Sequence, residues 1–274
     1  MEKVILITGA TDGIGFETAQ MLVKQNHYVI IHGRSSEKVN AVLDKLKTLT
    51  PSAKVDSIVA DLSDLSSVKQ MIKEINDRIE PLDVLINNAG VYTTSITKGS
   101  GNLDVRFLVN TIAPYMLSKA VLPKLKPKGR IVNLSSAAQA AVNLSALEGT
   151  LSLNDSDAYA QSKLALTMWS RALGLQQNET GPVVVSVNPK SFLGSKMVKE
   201  AYGMNGGDLS LGADILVRAA LSDEFSNARG LYYDNDIEHF AQPHSDALND
   251  EKVKQVIAKI EEIIDYVMRI QLDI

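Results

Sequence analysis

The chain contains no cysteine. This absence excludes disulfides, thiolate nucleophiles and cysteine-ligated zinc or iron–sulfur centres. Aromatic residues are also scarce, at 5% of the 274 residues, and 28 lysines and arginines are outnumbered by 32 aspartates and glutamates. With a formal net charge of −4 and no cluster of basic residues, the sequence is not typical of a nucleic-acid-binding protein.

Long apolar runs are missing as well. A membrane-spanning helix needs about 18 or more consecutive apolar residues, and the sequence has no such stretch. The amino terminus, MEKVILITGA, has a short apolar run that leads directly into glycine, which is unlike a signal peptide. We therefore expect a cytoplasmic protein with no membrane span.

Short β-branched runs alternate along the chain with longer segments of helical periodicity. Near-continuous apolar strands between amphipathic helices are typical of a parallel sheet that is covered on both faces. The sequence thus predicts an α/β fold, a single-domain doubly wound (Rossmann) parallel sheet of about seven strands with helices on both faces and right-handed crossovers. The predicted strands are residues 3–8, 27–31, 53–60, 82–87, 129–135, 182–188 and 230–233.

The first predicted strand is followed by the glycine-rich stretch TGATDGIG. Gly9 permits a tight turn, Gly13 lets the backbone approach a phosphate, and Gly15 lets the next helix pack closely. The free N–H groups at the start of that helix can bind a pyrophosphate. The spacing Gly-x-x-x-Gly-x-Gly differs from the commoner Gly-x-Gly-x-x-Gly, and a glycine cluster after a strand can also be a simple turn.

Polar residues follow several other predicted strands, where ligands of such sheets bind. Asp61 and Leu62 follow the third strand, although Asp61 could instead cap a helix. The sequence NNAG (87–90) ends the fourth strand, and Ser136 follows the fifth. Asn110 interrupts an apolar helical segment, where a buried asparagine needs partners. Taken alone, Asn110 is better interpreted as a hydrogen-bonded core amide.

The stretch DAYAQSKLAL places Tyr159 one helical turn before Lys163, on the same helix face. The ordinary pKa values of tyrosine, near ~10, and lysine, near ~10.4, leave neither group ready to exchange protons at neutral pH. A neighbouring ammonium lowers the pKa of a phenol. The two side chains are therefore either an acid–base pair or neighbours on a solvated surface.

In this order, TGATDGIG, Asp61-Leu62, NNAG, Asn110, Ser136 and Tyr159-x-x-x-Lys163 resemble the short-chain dehydrogenase/reductase family over residues 3 to about 234. The sequence VRFLVNTIAPYML and the long gap before Tyr159 are similar to the retinol-dehydrogenase-like and WW-domain-oxidoreductase-like branch.

The resemblance implies an NAD(P)-dependent oxidoreductase acting on a carbonyl or alcohol. It implies that Tyr159 is the general acid–base, that Lys163 assists it and binds the nicotinamide ribose, that Ser136 holds the substrate oxygen, and that Asn110 positions a relay water. A non-catalytic NAD(P)-binding sensor or scaffold on the same fold is the alternative, since fold does not decide function. The predicted cofactor-binding residues are Gly9, Thr11, Asp12, Gly13, Ile14, Gly15, Arg34, Ser35, Asp61, Leu62, Asn87, Asn88, Ala89, Gly90, Tyr159, Lys163, Pro189 and Ser191.

The segment after the sixth predicted strand departs from the family pattern. Lys190 replaces the family's glycine after Pro189, and no threonine follows, so that Ser191 or Ser195 is left to take its part. We predict that residues 190–228 form a substrate lid and that the insert 137–157 arches over the site.

The end of the second strand, HGRSS, bears on the choice of cofactor. It has no acid before Glu37, whereas Arg34 can bind a 2′-phosphate with two parallel N–H bonds and Ser35 can add a hydroxyl. We expect a preference for NADP(H) over NAD(H). Asp12 argues against this preference, because many NADP-preferring relatives have a basic residue at its position.

The side chains predicted to face the nicotinamide are mainly apolar: Tyr92, Phe192, Leu193, Met197 and Tyr202. We expect a medium-sized, largely apolar aldehyde, ketone or alcohol as the substrate. The acid- and histidine-containing segment 234–244 is predicted to be a solvated loop, and no metal site is expected there.

The carboxyl-terminal region closes the predicted organisation. Residues 1–245 are predicted to be one dinucleotide-binding domain, and residues 246–274 a C-terminal helical extension with an apolar stripe. The stripe is equally consistent with docking on its own domain and with a contact to a second subunit, so a homo-oligomer remains an open alternative.

Overall fold

The structure, a computed structural model, describes residues 1–79, 81–203 and 205–270. An eight-stranded sheet runs through the molecule in the order β3-β2-β1-β4-β5-β6-β7-β8. Neighbouring strands from β3 to β7 are parallel, and β8 pairs antiparallel with β7. The strands are β1 (Val4–Ile7), β2 (Tyr28–Gly33), β3 (Lys54–Val59), β4 (Val84–Asn87), β5 (Arg130–Leu134), β6 (Val183–Asn188), β7 (Tyr232–Asp234) and β8 (His239–Ala241).

The predicted doubly wound α/β fold is confirmed, but the strand number was one short. The eighth strand lies inside the segment 234–244, which the sequence predicted to be a solvated loop. β8 is only three residues long, too short for an alternating pattern to reveal it. Its Phe240 packs on the rings of Phe225 and Tyr233, with ring centroids 5.1 and 5.2 Å apart.

Helices cover both faces of the sheet. The helices are α1 (Gly13–Lys24), α2 (Ser36–Lys47), α3 (Leu65–Arg78), α4 (Val105–Phe107), α5 (Ala113–Val121), α6 (Leu144–Leu147), α7 (Asp155–Leu175), α8 (Lys196–Tyr202), α9 (Leu209–Leu221) and α10 (Asp250–Ile270). A π-helical turn, Leu108–Ile112, joins α4 to α5. None of the helices within the described ranges is long and apolar enough to cross a membrane.

Two apolar cores separate the sheet from its helices. Alternate strand residues point to opposite faces of the sheet, so Ile5 and Ile7 join one core while Leu6 joins the other. The core that contains Ile5 and Ile7 includes α1, α2 and α9, and the core that contains Leu6 includes α3, α5, α7 and α10. This burial on both faces explains why the strands are almost uniformly apolar.

The apolar stripe of α10 docks on its own domain. Val253, Val256, Ile260, Ile263 and Val267 are buried in the core shared with α3, α5 and α7. Polar contacts fix the helix at its edges, since Tyr115 donates to Glu261 Oε1 at 2.5 Å and Lys259 Nζ donates to Glu148 Oε2 at 2.8 Å. The predicted extension is thus a part of the fold, and residues 271–274 lie outside the described residues.

Candidate active site

A large cleft of about 580 Å³ opens where β1, β2, β3, β4, β5 and β6 end. Parallel α/β sheets bind their ligands at this edge. Most of the residues singled out in the sequence line it: Gly9, Thr11, Asp12, Gly13, Ile14, Arg34, Ser35, Asp61, Leu62, Asn88, Ala89, Gly90, Ser136, Tyr159, Lys163, Pro189 and Ser191. Three predicted residues, Gly15, Asn87 and Asn110, lie behind its surface instead.

The glycine-rich turn is locked to the end of β4. A Cβ atom on Gly9, whose φ is +64°, would lie 2.7 Å from Ala89 Cα, so only glycine fits. Asn88 Nδ2 donates to the carbonyls of Thr8 and Gly9, both at 2.9 Å. Gly15 lies beneath this contact, where a Cβ would meet Gly9 O and Asn88 Nδ2 at 2.4 Å.

The start of α1 opens into the cleft beside the segment that follows β6. Asp12 caps the helix, because its carboxylate accepts from the N–H of Gly13 at 2.7 Å. A Cβ on Gly13 would lie 3.9 Å from Ser195 Cβ, so Ser195 stands opposite the turn. The Asp12 carboxylate therefore already accepts from one of the backbone N–H groups at the start of α1.

His32, which the sequence analysis did not select, holds three strand ends together. Its Nδ1 accepts from Gly9 N at 3.2 Å, and its Nε2 donates to Ala60 O at 3.0 Å. Burial lowers the pKa of His32 to about 4, against the opposing effect of the hydrogen bond to Ala60. The imidazole is therefore neutral at physiological pH, as this donor–acceptor arrangement requires. The position of a histidine at the end of an apolar predicted strand could have indicated this role from the sequence.

The cleft beyond β2 is basic. Arg34 is exposed and lines the cleft, and Ser35 caps α2 by accepting from Lys38 N at 3.4 Å. Lys38, in the first turn of α2, lines the same part of the cleft. The sequence analysis missed Lys38, although its place three residues after a capping serine could have indicated it.

Helix α7 carries the tyrosine–lysine pair into the cleft. Lys163 is only 3% exposed, and its Nζ donates to Leu134 O at 2.7 Å. The same Nζ lies 5.7 Å from the centroid of the Tyr159 ring. Burial lowers the pKa of Lys163 to about 7. The pair is therefore not a solvated surface pair, and the lysine titrates near neutrality.

Asn110 lies behind the pair and is fully buried. Its Oδ1 accepts from Val91 N at 2.8 Å, and its Nδ2 donates to Val91 O at 2.9 Å and to Ser162 Oγ at 3.0 Å. A Cβ on Gly90 would lie 3.5 Å from both Asn110 Oδ1 and Lys163 Nζ, so these two polar groups flank the same small region. The amide thus has its partners and also borders the site.

Ser136 is held in the cleft wall by its backbone. Its carbonyl accepts from Gln139 Nε2 at 2.8 Å and from the Tyr232 hydroxyl at 3.2 Å. Burial raises the pKa of Tyr232, with the nearby Asp234 adding to the effect, so the phenol stays protonated and able to donate. The Ser136 hydroxyl accepts from Ala138 N at 3.1 Å.

Asn87 has a different position from the one predicted. Its Nδ2 donates to Asn133 Oδ1 at 2.8 Å and to Ser118 Oγ at 3.0 Å, and the residue is buried. These contacts tie β4 to β5 beneath the cleft. Asn87 supports the floor of the site and is not one of its lining residues.

The loop after β6 has unusual backbone conformations. Lys190 has a φ of +116° and Phe192 a φ of +53°, both in the region that favours glycine. Asp236 holds this loop by accepting from the N–H and hydroxyl of Ser191 at 2.9 and 2.6 Å. Burial opposes ionisation of Asp236, but these bonds outweigh it and lower its pKa. Across residues 1–79, 81–203 and 205–270, no group of three or more histidine, aspartate or glutamate side chains is arranged to hold a metal.

The predicted lid segment 190–228 has two parts. Residues of the first part, from Lys190 to Glu200, line the cleft. The second part contains α9, which packs on α1 and is buried in the sheet core. The Tyr202 side chain lies outside the described residues. Of the insert 137–157, Ala138 lines the cleft and α6 docks against α10 through Glu148.

A family model described as short chain dehydrogenase matches residues 3–205, which include the glycine-rich turn and the tyrosine–lysine pair. The chain belongs to the short-chain dehydrogenase/reductase family of oxidoreductases.

Within this family, the relatives place the chain in the retinol-dehydrogenase-like branch. Polyprenol dehydrogenase of Homo sapiens is 34% identical over 177 residues, which are 62% of this chain and 54% of that protein. The chloroplastic short-chain dehydrogenase TIC 32 A of Brassica napus is 31% identical over 254 residues, covering 83% and 78%. Retinol dehydrogenase 13 of Homo sapiens is 31% identical over 192 residues, covering 68% and 58%. The chain thus spans a little over half the length of the polyprenol and retinol enzymes.

Solved structures show the same fold. An uncharacterised protein from Mycobacterium paratuberculosis superimposes with a TM-score of 0.78 at 23% identity, covering 96% of this chain and 93% of that one. A short-chain dehydrogenase from Shigella flexneri, in a complex with NADP, has a TM-score of 0.66 at 25% identity, with 85% and 96% covered.

Proposed function

We propose that this dehydrogenase interconverts a medium-sized, largely apolar carbonyl compound and its alcohol, with Tyr159 as the general acid–base and NADP(H) as the preferred cofactor. The observation that carries the proposal is the meeting of Tyr159, Lys163 and Ser136 with the glycine-rich turn in one cleft. Neighbouring tyrosine and lysine side chains on a helix face are common on surfaces, but here the lysine is buried beside the cleft.

A dinucleotide fits the residues of this cleft. The left-handed turn at Gly9 and Gly13 leaves backbone N–H groups at the start of α1 for phosphates, and Lys163 borders the other end of the cleft. When bound, the nicotinamide supplies or accepts the hydride. The protein's own contribution is to bind and orient both molecules and to move one proton.

In this proposal Tyr159 and Ser136 both contact the substrate oxygen. For reduction, the Tyr159 hydroxyl gives its proton to the oxygen, which the Ser136 hydroxyl holds by a hydrogen bond. The protonated form of Lys163 favours the phenolate that remains, because its Nζ is 5.7 Å from the ring centroid. With a pKa of about 7, Lys163 can lose or regain a proton near neutral pH. Lys163 can therefore return a proton to the Tyr159 phenolate. Oxidation runs these steps in reverse.

The basic end of the cleft supports the cofactor preference. Arg34 and Lys38 both line it, and Ser35 lies between them in sequence. A guanidinium and an ammonium favour a 2′-phosphate, whereas the ribose hydroxyls of NAD(H) would leave both cations without a partner. The NADP in the Shigella flexneri relative is consistent with this choice.

Dissociation constants for NADPH and NADH test the preference. We expect Arg34→Ala to weaken NADPH binding about 10- to 100-fold and to leave NADH binding within about twofold, because one charge-assisted contact is lost. Lys38→Ala should act in the same direction, and Lys45→Ala, an exposed lysine near the other end of α2, is the matched control. Equal weakening of both cofactors by Arg34→Ala would remove Arg34 as the selecting residue.

The substrate end of the cleft is mainly apolar. Tyr92, Leu193 and Met197 line it, as do Val91, Ile96, Val105, Val109 and Val198. Phe192, 53% exposed, lies at its mouth. The relatives named for polyprenol and retinol carry the names of apolar alcohols, which agrees with this lining.

A panel of carbonyl compounds, followed by the absorbance of NADPH, tests the substrate class. We expect kcat/KM to be highest for apolar aldehydes and ketones and lowest for sugar phosphates and polycarboxylates. A sugar phosphate as the best substrate would contradict the proposed class. Tight NADPH binding without turnover of any compound, including alcohols with NADP, would instead favour the alternative, a non-catalytic NAD(P)-binding sensor.

A further inference from the structure

Arg106 is a buried cation that the proposed chemistry does not use. Its side chain is 2% exposed, and its Nε and Nη2 donate to the two carboxylate oxygens of Asp104 at 2.9 and 2.7 Å. Its Nη1 donates to Asp155 Oδ1 at 2.5 Å and to the carbonyl of Tyr92 at 3.3 Å. A buried guanidinium needs such partners, but these belong to three separate segments: Asp104 precedes α4, Tyr92 follows β4 and Asp155 begins α7.

The segment after β4 is held from one helical stretch. Arg106 lies in α4 and Asn110 lies in the π-helical turn, four residues later and on the same face. Asn110 binds both the N–H and the carbonyl of Val91, and Arg106 binds the carbonyl of the next residue, Tyr92. Two consecutive residues are therefore fixed at the backbone, which sets the direction in which the Tyr92 side chain leaves the chain.

That side chain lies against Tyr159. The two ring centroids are 4.7 Å apart and the rings are tilted by 48°. Asp155 is the first residue of α7 and precedes Tyr159 by one turn. Arg106 thus connects the backbone of Tyr92 with the start of the helix that carries Tyr159. The contact between the Tyr92 and Tyr159 rings is a second connection between the same two segments.

We propose that Arg106 is a positioning residue, which holds the Tyr92 ring against Tyr159 and thereby fixes the direction of the Tyr159 hydroxyl. The inference rests on the proposed role of Tyr159 as the acid–base. Proton transfer depends steeply on the placement of the reacting groups, and a shift of about 1 Å can lower a rate about 100-fold. A neighbouring ring packed at this distance limits the rotation of the Tyr159 side chain.

Asp155→Asn tests the connection without removing the buried arginine. The change weakens the Arg106–Asp155 pair but keeps the size of the side chain, and Asp155 is partly exposed, so the fold should persist. Asp157→Asn is the matched control, because it removes the same charge from the same first turn of α7, where its exposed carboxylate contacts Asn154. We expect Asp155→Asn to lower kcat about tenfold, with KM for the carbonyl substrate and Kd for NADPH within about twofold. Asp157→Asn should leave kcat unchanged.

The same change made in a Tyr92→Leu variant separates positioning through the Tyr92 ring from a general effect on α7. If Arg106 acts through Tyr92, Asp155→Asn should lower kcat in the wild type but have little further effect in Tyr92→Leu. An equal loss in both backgrounds, or an Asp155→Asn enzyme indistinguishable from Asp157→Asn, would overturn the inference. Neither result would affect the proposed function, which instead fails if Tyr159→Phe retains turnover.

Discussion

At the scale of single residues, burial of Lys163 links the chemistry of the site to the stability of the fold. The folded pKa of about 7 is well below the ordinary value of 10.5. Between these two pH values the unfolded chain carries a proton that the folded chain lacks, so stability rises with pH across this window and falls as the pH drops to 7. The charged form of Lys163 thus opposes folding, and ionisable groups whose pKa values are perturbed in this way cluster at functional sites.

Chemical denaturation without cofactor can measure this link. From pH 6 to pH 9, we expect the free energy of unfolding of the wild type to rise by about 2–3 kcal/mol relative to that of Lys163→Met, which lacks the ionisable group. Lys45→Met, at an exposed position, should follow the wild type. The burial of a titrating ammonium would be contradicted if Lys163→Met and the wild type showed the same pH dependence.

Lys190 is a second residue with a measurable energetic effect. Its φ of +116° is a strained conformation for any residue with a Cβ atom. We expect Lys190→Gly to raise the free energy of unfolding by about 1 kcal/mol, since relief of strain exceeds the added flexibility of the unfolded chain. Lys190→Ala keeps the Cβ and should bring no such gain. A stabilisation by alanine equal to that by glycine would show that the lysine side chain, and not the backbone, is unfavourable.

At the scale of secondary structure elements, β7 supports the site from a distance. Tyr232 in β7 donates to the carbonyl of Ser136, so the strand helps to fix the loop that carries the Ser136 hydroxyl. Neighbouring strand residues face opposite sides of the sheet, and the adjacent Tyr233 hydroxyl contacts Arg218 instead.

These two tyrosines give a matched pair of variants. We expect Tyr232→Phe to lower kcat about fivefold, the equivalent of one lost hydrogen bond of about 1 kcal/mol, with NADPH binding unchanged. Tyr233→Phe should have no effect on kcat. The measurement is steady-state kinetics at saturating cofactor, and equal rates for the two variants would contradict a role for β7 in placing Ser136.

The elements also show what could be predicted from sequence and why the rest could not. Long apolar strands, amphipathic helices and the glycine-rich turn have local signals in the sequence. β8 has no such signal, because its three residues depend on pairing with Tyr232 to Asp234. The π-helical turn at Leu108–Ile112 also has no local signal; it contains Asn110, whose partners Val91 and Ser162 are distant in sequence. Asn87 was assigned to the cofactor because sequence order cannot tell a residue that lines a cleft from one beneath it.

At the scale of the whole molecule, the cleft is assembled by contacts between distant parts of the chain. His32 joins the ends of β1, β2 and β3, Asn88 joins β4 to the glycine-rich turn, and Asp236 holds the loop after β6. Arg106 connects the segment after β4 to α7. The carboxyl edge of the parallel sheet thus brings together the side chains that line the cleft, and residues between Lys190 and Glu200 complete its wall.

The central claim is that this assembly uses the Tyr159 hydroxyl to transfer a proton. The most direct measurement compares turnover and NADPH binding for the wild type, Tyr159→Phe, and the control Tyr266→Phe, whose ring is exposed on α10. The account predicts that Tyr159→Phe loses about 100- to 10,000-fold in kcat while Kd for NADPH stays within about twofold, and that Tyr266→Phe behaves as the wild type. Turnover by Tyr159→Phe at a rate close to that of the wild type would contradict the account.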